Sequence, residues 1–481
     1  NTICVAASSL PVAGVGGCPV GASVAQQADF SIAISSYATT GNRVLFKRDD
    51  IFPTVTSAVI TATGPGTLGA FGAGASPIVS MTGNAAALQL SSSTTPTFRD
   101  WRVMDLDFDG NSTGSSSGVG AGGGSTDVTI LRVAVRNVNT SFGFGPDEIN
   151  YFNNNGHPGH KTDRLFIVDS STIPDATTTT YSSYSAGNRV AFMGNSFDNG
   201  GRQGGGSHIN RFPYLNLAVI SNNDYIRPGN DRLAIKLHAP FWGGGVPDAT
   251  RNVGSNYSAD AQGDGYTKYV LIDSNSFTAH MGPWMLGLSP QDSAEDERLH
   301  DLIVERNVFH EASYSQAAMR LACRQVTVRN NIYMGGVSDI QGLVLIWRDG
   351  GEPTLEDAWI YSNSLYTNHT VPSGQFVAVE IRDTYGTNIS IKNNLAYAPN
   401  AVNPMLYTDA GATNVVVSNN SSDSQIKNTS PSFSVTPPLG PVDFTPTGAS
   451  YAIGGGADVP VWSDFFLLPR TAPRDMGAVL H

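Results

Sequence analysis

An all-β chain wound as a right-handed parallel β-helix is the fold this sequence predicts, and three observations predict it. The first is a repeat, which is sought before single elements: a short apolar or β-branched strand, then Asn, one residue, and an apolar or aromatic residue. It occurs at Asn195-Ser-Phe197, Asn223-Asp-Tyr225, Asn275-Ser-Phe277, Asn307-Val-Phe309, Asn331-Ile-Tyr333, Asn363-Ser-Leu365 and Asn393-Asn-Leu395. Successive asparagines lie 28, 52, 32, 24, 32 and 30 residues apart, and the long interval contains a Gly/Asp/Asn/Ser-rich insertion from Pro240 to Tyr266. The second is composition: 52 glycines, only 14% charged residues, and no run of the Leu/Glu/Lys/Ala mixture of a long helix. The third is turn chemistry. Asparagine tolerates left-handed backbone and its amides can stack from coil to coil, whereas the Asn-Gly hairpins of an antiparallel sandwich are nearly absent. A leucine-rich repeat lacks its Leu lattice here, and a propeller blade needs about 40 to 45 residues with hairpins.

Taken in order, residues 1–57 read as an N-terminal cap with the first strands, and 58–481 as the parallel β-helix. The whole is one domain, with an extension from about 430 to 481 packing on the helix. Ala22 to Ile34 is the best helical stretch, followed by the strand Arg43-Val-Leu-Phe-Lys-Arg48. Such a helix would cover strand edges that otherwise invite pairing with other chains. Val59-Ile60-Thr61, Ile78-Val79-Ser80 and Leu88-Gln89-Leu90 open the strand series. Trp101 to Asp109 alternates as one strand, with Asp105, Asp107 and Asp109 on one face. The Gly/Ser tract from Gly114 to Ser125 is loop.

The formal charge of −12 and pI near 5.1 exclude a general nucleic-acid binder, because such a protein needs a basic footprint to release phosphate counterions. No apolar run is long enough to cross a membrane. Cys4 and Cys18 enclose a short loop and are expected to pair in an exported protein, which is worth roughly 3 kcal/mol in the chain-entropy model; the alternative is two buried thiols. Cys323 is expected to be packed. A chain starting at Asn1 fits signal-peptide removal, so the expected location is extracellular or periplasmic, and the expected state a monomer.

Arg43-Val-Leu-Phe-Lys-Arg-Asp-Asp-Ile-Phe52 resembles the early segment of many secreted β-helix proteins, and Arg474-Asp-Met-Gly-Ala478 their closing Asp-x-Gly-Ala motif. With the repeat, this resemblance to the pectate-lyase-like superfamily covers nearly the whole chain. It implies cleavage or binding of polysaccharide in a groove along the parallel sheet. Within it, Leu233-Ala-Ile-Lys236 is similar to the strand that carries the base in chondroitinase B and the β-helical alginate lyases, where an Arg on a neighbouring coil assists. Two departures stand out. The family's calcium-holding Glu residues before that Lys are missing, and its Arg-His-Gly segment reads Met285-Leu-Gly-Leu-Ser289.

Strand alternation supplies the candidate site independently. Leu233, Ile235 and Leu237 are expected to point inward, and Ala234, Lys236 and His238 outward. Arg211 precedes Lys236 by 25 residues, one coil, and is expected beside it at the strand separation of about 4.8 Å. Met285 to Ser289 presents small residues outward, and Arg320, Glu380 and Arg382 follow on later coils. Such a cation ladder suits an acidic sugar. For β-elimination, a base takes the proton beside a uronate carboxylate and a cation neutralises that carboxylate. Lys236 or His238 is the base in this reading, Arg211 and Arg320 the neutralisers, and His208, Trp242 and Arg382 further substrate contacts. The bland reading is a row of solvated or paired cations.

Other groupings carry different chemistry. Asp105, Asp107 and Asp109 would suit calcium or a coil corner; no other cofactor is called for. His157, His160 and Asp163 are either metal ligands or a surface loop. Asp292, Glu295 and Asp296 would serve a glycoside hydrolase. Trp284 and Trp347 are sugar platforms or core. The expected function is therefore a polysaccharide lyase acting on a uronate glycan, with a glycoside hydrolase or a non-catalytic glycan-binding β-helix as the alternatives.

Overall fold

A computed structural model describes residues 1–83, 86–90, 98–111, 117–121, 125–145, 162–173, 181–198, 208–226, 233–239, 267–278, 284–290, 299–310, 317–335, 342–347, 355–368, 376–382, 386–401, 404–421 and 429–481. Described residues up to 218 form one compact unit and those from 219 onward a second. Both are right-handed parallel β-helices: strands recurring once per coil pair in parallel with their counterparts on the next coil, and such crossovers take the right hand almost without exception.

In the first unit, Thr2–Ala6 pairs with Ser23–Gln26 and with Arg43–Lys47, and Cys4 and Cys18 form the expected disulfide. The predicted helix over 22–34 is shorter and later, at Phe30–Tyr37. The preceding stretch is drawn into the sheet by the Cys4↔Val24 pairing. Asp29 then sets the helix start by accepting the Ile32 amide at 3.1 Å. The helix buries Phe30 against Phe46 and Phe108, with centroids 5.1 and 6.0 Å apart. The predicted single strand over 101–109 is two, Phe98–Met104 and Asp107–Asp109. Asp105, at φ 58°, turns the corner between them.

In the second unit each coil carries three strands. Ala317–Leu321, Arg324–Arg329 and Ile332–Gly335 pair with Val344–Ile346, Glu356–Tyr361 and Ser364–Thr367 of the next coil. In-register parallel pairing stacks like side chains about 4.8 Å apart, so Tyr225, Phe277 and Phe309 lie face to face at 5.0 and 4.8 Å.

The corner after the second strand explains the asparagine repeat. Asn223, Asn275, Asn307, Asn331, Asn363, Asn394 and Asn420 form a buried ladder in which each amide donates to the next amide oxygen at 2.9–3.0 Å. The left-handed residue is the one just before each of them, as at Ser274, Arg306, Asn330 and Ser362. Two needs, a residue with positive φ and a stacked amide, thus fall on adjacent positions. For this reason Asn394, not the predicted Asn393, occupies the ladder, and Asn393 takes the turn at φ 58°.

The C-terminal segment packs Phe433, Phe444, Met476 and Ala478 on Ile332, Tyr366 and Leu395. Arg470 fastens it, donating to Asn330 Oδ1 at 3.0 Å and the Gly477 carbonyl at 2.6 Å. Among the described residues no helix is long and apolar enough to cross a membrane.

Candidate functional site

The strands Ile235–Leu237, Trp284–Leu288 and Ala317–Leu321 of the second unit supply the row of interest. Ile235 aligns with Leu286 and Met319, and Leu237 with Leu288 and Leu321; all six are buried apolar residues that fill the core. Between these rows runs a different one. Lys236 pairs with Gly287, Gly287 with Arg320, Arg320 with Leu345, and Leu345 with Glu380. Because parallel neighbours in register point the same way, Lys236 and Arg320 flank Gly287 on the outer side, two strand steps or roughly 10 Å apart.

The outer row is more enclosed than alternation alone predicts. Lys236 is 6% exposed, Arg320 7% and His238 0%. Leu233 also departs from its expected inward orientation: a Cβ on Gly287 would lie 3.3 Å from Leu233 Cδ1 and 3.6 Å from Lys236 Cδ. Leu233 therefore leans over Gly287 on the side of the cations. It precedes the strand Ile235–Leu237, so the strand's alternation does not bind it.

Lys236 Nζ donates to Ser289 O, Ser289 Oγ and Pro290 O, each at 2.7 Å. Three acceptors match the three N–H bonds of an ammonium. Ser289 Oγ also lies 3.5 Å from Arg320 Nη1, linking the two cations. Arg320 Nε donates to the Trp347 carbonyl at 3.2 Å. Its guanidinium sits 5.2 Å from the Trp284 ring centroid and 4.7 Å from that of Trp347, two rings 6.0 Å apart and tilted 47° to each other, so both cation–π contacts lie to one side of the charge. The sequence offered the two tryptophans as sugar platforms or core and put Ser289 among the outward small residues, but gave no sign of Pro290 or of Ser289 as partners of Lys236. The Lys236 contacts include two backbone carbonyls, which carry no residue-type signal.

His238 Nδ1 lies 2.9 Å from the Ala239 carbonyl, an acceptor, so Nδ1 carries a proton. Arg382 and Glu380 form a two-pronged pair at 2.8 and 3.0 Å, so Arg382 carries a local carboxylate partner. Arg211 and His208 belong to the first unit. There Arg211 donates to the Tyr181 hydroxyl at 3.3 Å and lies over the Tyr184 ring, and His208 is buried. Trp242, His157, His160, Asp292, Glu295, Asp296 and the insertion from Pro240 to Tyr266 lie outside the described residues.

The acidic strand end in the first unit is occupied by arginines. Asp105 binds Arg132 at 2.7 Å, and Arg136 bridges Asp107 at 2.8 Å and Asp109 at 2.9 Å. Burial pushes the Asp109 carboxyl up, but Arg136, Asn137 and the Asn111 amide outweigh it and hold it below the ordinary range. Carboxylates so engaged fit a coil corner. Among the described residues no group of three or more His, Cys, Asp or Glu could hold a metal ion. The residues just before Lys236 are Leu233, Ala234 and Ile235, which offer no carboxylate to calcium. Cys323 is buried, and burial pushes its thiol far up.

No family model matches the chain, and no curated protein matches it. Solved structures do show similarity. The A-module of a mannuronan C-5 epimerase from Azotobacter vinelandii is 13% identical, with 81% of this chain and 92% of that one covered and a TM-score of 0.42. A PL6 family alginate lyase is 13% identical over 79% of this chain and 52% of its own, with a TM-score of 0.46. A GH136 lacto-N-biosidase from Eubacterium ramulus is 11% identical over 86% and 65%, with a TM-score of 0.44.

Proposed function

We propose that the protein is a secreted polysaccharide lyase whose second unit cleaves a uronate glycan by β-elimination. The observation that carries the reading is the outer row Lys236, Gly287, Arg320, two enclosed cations either side of a residue without a side chain. A fold hosts many chemistries, so the reading rests on these residues and not on the coil. The Cys4–Cys18 disulfide supports export.

In this reading Arg320 pairs with the uronate carboxylate, and the charge building on that group during proton removal is neutralised. The base takes the proton from the carbon beside the carboxylate. The electron pair of that bond forms the new carbon–carbon double bond, the bond to the glycosidic oxygen breaks, and the departing oxygen takes up a proton. In this reading Lys236, as an ammonium, serves as the cation and proton donor. His238, neutral in this reading, serves as the base through Nε2. Arg211 belongs to the other unit, and the reading stands without it.

A second reading has its own support. With all three of its N–H bonds engaged, Lys236 is also suited to a rigid, non-catalytic glycan-binding face. One experiment separates the readings: incubation with polygalacturonate, alginate and neutral glycans, following ultraviolet absorbance and reducing ends together. A lyase raises both, a hydrolase only the second, and a binder neither. Arg320→Gln and His238→Ala should each abolish the absorbance; full activity in Arg320→Gln sinks the elimination site.

A further inference from the structure

The strands Thr267–Asp273, Leu299–Glu305, Arg324–Arg329 and Glu356–Tyr361 of the same unit carry a groove that the proposed cleavage site does not use. It has a volume of about 450 Å³ and is floored by Leu271, Ile303 and Thr327, with Tyr269 at one end and Trp359 at the other. The floor residues align strand by strand, Leu271 with Ile303, Ile303 with Thr327, and Thr327 with Trp359. Three strand steps therefore separate the strands bearing the two aromatic rings, about 14 Å.

Tyr269, like Leu217 in the first unit at φ 54° and 55% exposed, puts a bulky side chain on left-handed backbone. It sits at φ 55°, in a row whose other members in this unit are Asp301, Gln325, Asp357, Asn388 and Asn414. Positive φ favours Gly, Asn and Asp and penalises bulky side chains. Burial does not compensate, since Tyr269 is 51% exposed. An aromatic ring held out to solvent on left-handed backbone contributes little to folding, and such outliers cluster at ligand sites. Lys268 lies 5.6 Å from its ring centroid and His300 6.3 Å away edge-on. At the other end Trp359 is half-buried, propped against Val459 and Val461.

We propose that this groove is a second, non-catalytic binding site for a polysaccharide strand laid across the coils. Two aromatic faces, a floor that is apolar at Leu271 and Ile303, and polar groups at Asp301, Gln325 and the Thr327 hydroxyl match the two kinds of surface on a pyranose. Its C–H face stacks on rings, and its hydroxyls bond to amides and carboxylates. One sugar is close in length to one strand step, so a strand crossing the coils keeps register with the row. The inference rests on the proposed function only for the identity of the polymer.

The test uses affinity gel electrophoresis of the full chain in polygalacturonate, alginate and xylan, alongside cleavage of short oligosaccharides. Tyr269→Asn removes the ring while suiting the backbone, and Thr327→Trp fills the groove. Each should weaken retention by one of these polymers about five- to tenfold and leave oligosaccharide turnover unchanged. Unchanged retention in both variants overturns the second site even if cleavage is confirmed. Retention that is lost while no glycan is cleaved keeps the groove and removes only the lyase. A shift in sedimentation of either variant, with retention unchanged, assigns the groove to self-association and overturns the proposal.

Discussion

Replacing Asn307 with Ala should destabilise the second unit more than almost any other single change in it. Asn307 Nδ2 donates to Ile272 O, Glu305 O and Asn331 Oδ1 at 2.9, 2.9 and 3.0 Å. Its Oδ1 accepts both the backbone and side-chain N–H of Asn275, each at 3.0 Å. Alanine leaves those two buried donors of Asn275 without their acceptor and takes away the donors to two carbonyls. An orphaned buried group costs about 1 to 3 kcal/mol, so the loss should be about 3 to 5 kcal/mol. Urea unfolding followed by circular dichroism measures it. Asn400→Ala is the control: its amide bonds to Asn368 at 2.7 and 3.0 Å but at the surface, and the change should cost under about 1 kcal/mol. Equal, small losses in the two variants would refute the ladder as a source of stability.

Three further outcomes follow from the same contacts. Gly287→Val drives methyl groups into Leu233 and the stem of Lys236; stability should fall by about 1 to 3 kcal/mol and glycan cleavage at least tenfold, and undiminished cleavage would detach Lys236 from function. Removing the disulfide with Cys4→Ser and Cys18→Ser should lower stability by about 3 kcal/mol, read as a lowered urea midpoint. The Asp109 carboxyl is held below its ordinary value of 3.8, so its contribution is present above that pH and is lost as pH falls through the lower folded value. Arg136→Met removes the charged one of the three groups that hold Asp109 down and should reduce this acid-range slope in a pH series of unfolding curves; a slope that persists unchanged would place its origin elsewhere.

The second unit's candidate site was legible in part. Alternation about Ile235 and Leu237 put Lys236 in a row with Gly287 and Arg320, and that row exists. The enclosure of the row was not legible, because the acceptors around Lys236 include backbone carbonyls of Ser289 and Pro290. Leu233 was misplaced because a periodic argument holds only inside the strand, and the strand begins two residues later. Tyr269 gave no warning, since nothing in a string of letters shows which residue takes the left-handed turn.

The sequence by itself determined the coil. A repeated Asn beside an apolar residue encodes a local corner and a stackable amide, and both needs recur with every turn of the chain whatever its neighbours do. The Cys4–Cys18 link was likewise a matter of spacing. Only the tertiary structure decided which asparagine of the pair Asn393 and Asn394 enters the ladder, how Trp284 and Trp347 close on Arg320, and which cations keep local carboxylates. Those outcomes depend on register between residues tens of positions apart, and register is settled by packing of the whole sheet, not by any one segment's preference.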